Sequence, residues 1–165
     1  MLQRIFLIFV LVLSLNSCSK KDIEYEPKVK NDAYKLYQEG FEAFEKGDYF
    51  YAEKKFTEAE LNFEIVDFAA KSAIMSSYSL YGINFYSDAL INLERYLKKY
   101  PTDENVIYAH YLIAIIHYEQ IQDEKRDLQP LLDAKNKIKF FLKKYPDTDY
   151  AIDLQFKQDL IQNQL

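Results

Sequence analysis

One cysteine, two histidines and a scatter of carboxylates are the side chains from which this 165-residue sequence could most readily build catalytic or metal chemistry. Cys18 stands alone, which excludes an internal disulfide framework and leaves poor material for a zinc site or a cysteine–histidine pair. His110 and His117 are seven residues apart, two turns along one helix face. Seven residues rise about 10.5 Å, too far to share one metal, so both read as satisfied surface or groove histidines. Glu58, Glu60, Asp123, Glu124 and Asp127 have no evident cationic partners in the sequence that would tune them for acid–base work. They read as solvated faces and turns. No nucleophile motif, phosphate loop or metal-ligand spacing is present, and the chain reads as a non-enzyme. A formal charge of −5 and a pI near 5.1 argue against nucleic-acid binding, which needs a basic face for the phosphates.

The setting of Cys18 gives it a different role. Arg4 is followed by an unbroken apolar run from Ile5 to Leu13. Nine residues span about 13 Å, well short of a hydrocarbon core of about 30 Å, so the layout is that of an export signal and not of a membrane span. The stretch Leu15-Asn16-Ser17-Cys18 resembles the lipobox of bacterial lipoproteins. That resemblance implies cleavage before Cys18 and acylation of its sulfur and new amino terminus; the covalent lipid is the only prosthetic group expected. Residues 1–17 are then a signal peptide and residues 18–30 the acylated cysteine with a flexible tether, charged and interrupted by Pro27. Ser19, where retention signals place Asp, favours the outer membrane by the same resemblance. Removing residues 1–17 loses only Arg4 among charges and leaves about −6, so the lipid and not the acidic body does the anchoring.

The rest of the chain has the composition of an all-α array: 49% hydrophobic, 28% charged, and only 3 Gly and 4 Pro to make turns. It also repeats. Asp88 through Pro101 and Asp133 through Pro146 agree at seven of fourteen positions, including the whole Leu-Lys-Lys-Tyr-Pro ending. Asp103 and Thr148 stand two residues beyond those prolines, placed to cap the next helix. From Ala33, the residues Leu36, Gly40, Ala52, Phe56 and Ala59 resemble the tetratricopeptide repeat, a pair of antiparallel helices with a period of about 34 residues. Gly47-Asp48 supplies a left-handed turn and then an N-cap, with Asn84 taking the glycine's part in the next unit. The expected fold is a tetratricopeptide-like superhelix of about seven helices in residues 31–165. Its units cover about 33–66, 70–101 and 104–146, with an insertion from Asp123 to Gln129 and a half unit, 149–165, that is either a cap or a cut.

First helices of stacked pairs line a concave face. Projection of the repeat frame puts Tyr34, Tyr37, Phe41 and Phe44 there from unit one, and Lys71, Ile74, Tyr78 and Tyr81 from unit two. Unit three contributes His110, Ala114 and His117. Tyrosine offers large rigid area with a hydroxyl, which suits peptide binding. With 27 Tyr and Phe in the chain, many of these rings could equally fill the core.

Together with the cysteine and the acidic tether, several strings carry a closer resemblance. They are Tyr37-x-x-Gly40, Gly47-Asp48-Tyr49-x-x-Ala52, Arg95-Tyr96-x-x-x-Tyr100-Pro101, Tyr108-Ala109-x-Tyr111-Leu112, Asp123-x-x-Arg126-Asp127 and Tyr145-Pro146-Asp147-Thr148-Asp149-Tyr150-Ala151. From about Cys18 onward the chain resembles the BamD family, lipoprotein subunits of the outer-membrane β-barrel assembly (BAM) machinery. The resemblance implies a lipid-anchored scaffold on the periplasmic face of the outer membrane. Its partners would be BamA, other BAM subunits and unfolded outer-membrane β-barrel proteins. Family members run on through further repeats, so it also implies that this chain holds the substrate-side half and lacks part of the docking half. The alternative is another tetratricopeptide envelope adaptor, CpoB-like or pilotin-like, binding other periplasmic proteins.

Overall fold

Two residues with positive φ set the pairing of the helices. Gly47 (φ 78°) and Asn84 (φ 61°) each end a first helix in the left-handed conformation. The backbone then closes in the same way at both turns. Asp48 N–H donates to the carbonyl of Ala43 and Phe85 N–H to that of Leu80, each at 2.9 Å. Asp48 adds a side-chain cap, its Oδ1 accepting from Tyr51 N–H at 3.2 Å; at the equivalent place Phe85 offers none. Replacing Gly47 by Ala, with no neighbour within 4 Å of the new Cβ, should cost about 1 kcal/mol from the left-handed φ alone. Asn84→Gly should be close to neutral. Denaturant midpoints of the two variants check this.

The computed structural model describes residues 32–123 and 128–162. Seven helices run through them: α1 (Ala33–Glu45), α2 (Tyr49–Asn62), α3 (Val66–Gly82), α4 (Tyr86–Lys99), α5 (Val106–Asp123), α6 (Gln129–Lys144) and α7 (Asp149–Gln162). Consecutive helices pack on one another, as a helical-repeat array requires. The second helix of each unit buries the same stripe. Ala52, Phe56 and Ala59 on α2, Ala89, Leu93 and Tyr96 on α4, and Ala134, Ile138 and Phe141 on α6 are all fully buried. Their i, i+4, i+7 spacing puts each trio on one face. Gly40 is small where α1 crosses α2: a Cβ there would lie 3.0 Å from Phe56 Cδ1 and 3.2 Å from Lys55 Cβ.

The cap expected from Thr148 is present, whereas Asp103 closes the turn just before α5. Asp103 Oδ1 accepts from Asn105 N–H at 2.9 Å just before α5, and also takes the Tyr96 hydroxyl. Thr148 Oγ1 accepts from Ala151 N–H at 3.3 Å at the start of α7.

Glu60 corrects the reading of the carboxylates. It is buried on α2, with its side chain only 2% exposed. Both oxygens accept from the Arg95 guanidinium at 2.7 Å. Lys99 Nζ at 2.8 Å and the Tyr100 hydroxyl at 2.9 Å complete the set. Burial alone would raise this carboxyl, but the hydrogen bonds from Arg95, Lys99 and Tyr100 outweigh it and hold the pKa down at about 2. The cluster joins the second helices of units one and two. Glu58 is half-buried on α2, its carboxylate 3.5 Å from Lys55 Nζ. The side chains of Asp123, Glu124 and Asp127 lie outside the described residues, as do Arg126 and Cys18.

Candidate protein-binding face

Rings from four first helices meet in a row. Phe44 on α1 packs against Tyr78 on α3 with centroids 5.5 Å apart, and Tyr78 meets Tyr108 on α5 at 6.2 Å. Tyr108 meets Tyr150 on α7 at 5.9 Å, and Tyr111 stacks on Tyr150 at 4.6 Å. Tyr81 stacks on Tyr78 at 5.9 Å and widens the row. All except Tyr150 are half-buried, one side on the protein and one side open; Tyr150 is 36% exposed.

The chemistry of the row is that of a neutral, hydroxyl-bearing apolar surface. Burial, with smaller contributions from neighbouring acids and hydroxyls, pushes the phenols of Tyr81 and Tyr108 up from their ordinary value. Burial also raises Tyr111, reinforced by its hydroxyl donating to Asp153 Oδ2 at 2.9 Å. These hydroxyls therefore stay protonated at physiological pH and can donate or accept. Nothing in the row is a base or an activated nucleophile. Among the described residues no cluster of His, Cys, Asp and Glu could hold a metal, and no helix is long and apolar enough to cross a membrane.

Of the residues projected onto the groove, the row brings together Phe44, Tyr78 and Tyr81. The others go elsewhere. Tyr34 packs on Phe63 and Phe68 at one edge of the array, with centroids 5.0 and 5.2 Å away. Tyr37 turns inward on Phe56 at 5.3 Å, with Lys71 Nζ 5.9 Å above its ring. Phe41 is exposed, while Ile74 and Ala114 are core. His110 packs on Phe140 and Tyr145 at 5.2 and 5.7 Å, facing the second helix of its own unit. His117 has Lys137 and Asp133 of α6 and Glu94 of α4 as its charged neighbours. Burial, with Lys137 near both and Lys144 near His110, lowers both histidines below their ordinary value and leaves them neutral.

Tyr108, Tyr111 and Tyr150 escaped the projection. Their signal was in the sequence: Tyr108-Ala109 and Tyr150-Ala151 open successive first helices, each with a leucine four residues after the tyrosine.

A family model described as an outer membrane lipoprotein, YfiO, matches residues 29–165. The chain belongs to the YfiO family. Among curated relatives it is 32% identical over 130 residues to the "Outer membrane protein assembly factor BamD" of Caulobacter vibrioides, covering 79% of this chain and 43% of that protein. The protein of the same name from Rickettsia prowazekii is 28% identical over 159 residues, 96% of this chain and 62% of the relative. That of Xylella fastidiosa strain 9a5c is 23% identical over 165 residues, 94% and 55%. The chain thus spans about half the length of the curated relatives it matches. The residues that match the YfiO family model, 29–165, include the whole ring row.

Proposed function

We propose that this protein is a lipid-anchored, non-enzymatic scaffold of the BAM machinery at the periplasmic face of the outer membrane. The ring row would receive extended segments of unfolded β-barrel proteins, and the helical array would dock on BamA and other BAM subunits. The observation that carries the reading is the continuity of the row across four first helices. An extended chain that alternates apolar and polar side chains can lay one face along such a row and hydrogen-bond to its hydroxyls. Membership of the YfiO family, and the names of the relatives, support assembly of outer-membrane proteins as the setting.

The anchor is Cys18 in this proposal. Cys18→Ala should abolish incorporation of labelled fatty acid and release the protein from the membrane fraction. Unchanged labelling would overturn the anchoring. Crosslinking and co-purification from native membranes tests the function. Recovery of BamA and nascent barrel proteins is expected, whereas recovery of other periplasmic partners without either would favour a CpoB-like or pilotin-like adaptor.

A further inference from the structure

We infer that the turn between α2 and α3 is a membrane-contacting element that dips into the lipid interface beside the anchor. This rests on the anchoring proposed above. Leu61, Ile65 and Val66 are 76%, 50% and 64% exposed, and Phe68 and Tyr34 flank them at 40% and 54%. Tyr34, Phe63 and Phe68 form one ring cluster at this turn, Tyr34–Phe63 at 5.0 Å and Phe63–Phe68 at 5.4 Å, and Leu61, Ile65 and Val66 flank Phe63 in the sequence. An exposed apolar cluster of this kind at a loop tip is unusual on a soluble surface and marks a contact with another phase or partner.

The local sequence departs from its own repeat at this point. The first helices α1 and α7 are capped by the side chains of Asp32 and Thr148. At the start of α3 the N-cap is Ile65, with no side-chain hydrogen bond. A branched apolar residue there gives up about 1 kcal/mol of capping, so helix stability does not account for the choice.

Lipid is the occupant the geometry favours. The patch lies at the edge where the chain enters the fold, since Tyr34 is two residues from Asp32 and lies against the same turn. Fourteen residue steps separate Asp32 from Cys18, a reach of at most about 50 Å, so this edge stays close to whatever surface holds the lipid. Membership of a family of outer membrane lipoproteins makes that surface a bilayer. In this orientation the exposed apolar side chains of the turn enter the boundary of headgroups and acyl chains by about 5–10 Å.

The chain contains no tryptophan, so a single substitution reports its own surroundings. Val66→Trp is placed in the full acylated protein, reconstituted in vesicles of phosphatidylethanolamine and phosphatidylglycerol. Phe85→Trp, 48% exposed in the turn at the other end of the helices, is the control. Expected is blue-shifted emission at position 66, with quenching by lipids brominated near the headgroup several-fold stronger than at position 85. Leu61→Trp should behave like Val66→Trp. Fatty-acid labelling of the same preparation verifies the anchor separately, so loss of anchoring and loss of loop contact give different results. With the anchor intact, equal quenching at positions 66 and 85, or no quenching at 66, overturns the inference. A blue shift at position 66 without lipid quenching also overturns it, because it places protein over the patch, either a second copy or another partner.

Discussion

Glu60→Gln is expected to destabilise the protein by about 3 kcal/mol at neutral pH and to flatten its acid unfolding. A carboxyl held near 2, against an ordinary value of 4.5, contributes stability of that order. The folded-state value is the depressed one, so the contribution is complete above about pH 4.5 and is lost as the pH falls towards about 2. The amide of Gln turns a donor towards Arg95 where the carboxylate accepted two hydrogen bonds, and it removes the charge facing Lys99. Arg95 and Lys99 are 41% and 48% exposed and can recover water, which makes the figure an upper estimate. Because the cluster spans the junction of units one and two, the loss falls on one interface of the array. Unit one should then unfold ahead of the rest. Urea titrations of both proteins at pH 7 and at pH 3 check the prediction. Equal acid sensitivity in the two would mean that Glu60 is not the group responsible.

The helices and their turns were legible because their signals are local. Gly47-Asp48, Asn84, Asp103 and Thr148 each act within a few residues, and the buried trios follow from spacing along one helix. Glu60 was not legible, since its partners stand 35 to 40 residues away and only the packing of α2 and α4 on α3 brings them together. The third unit's face was misassigned for a geometric reason. One residue turns a helix by about 100°, so His110, two residues after Tyr108 and one before Tyr111, points to another side of α5. The repeat frame put His110 and His117 on the face that belongs to Tyr108 and Tyr111. In unit one the frame erred differently. Tyr34 and Tyr37 have the aromatic character of a groove, but the α2–α3 turn supplies Phe63 and Phe68 as nearer partners.

Tyr108→Ala should weaken binding of an unfolded barrel segment by about thirty-fold, the loss of roughly 2 kcal/mol typical of a central aromatic anchor. Tyr108 is the middle of the row. It touches Tyr78 on one side and Tyr111 and Tyr150 on the other, so its removal leaves two short aromatic patches where one long surface stood. An extended ligand would then lose continuity as well as one contact. Tyr108→Phe keeps the ring and should cost less than tenfold, which separates stacking from the hydroxyl's hydrogen bond. Tyr108 is half-buried, so truncation also lowers stability; Tyr150→Ala, at the exposed end of the row, tests the same surface with less cost to the fold. His110→Ala, facing α6, should leave binding unchanged. The measurement is fluorescence anisotropy of a labelled barrel strand, with circular dichroism to verify that helicity is retained. If His110→Ala weakened binding and Tyr108→Ala did not, the ligand would lie on the face made by α4 and α6 and the row would be only packing between units. The ordering of Tyr108, Tyr150 and His110 therefore decides between the two faces of the same helices.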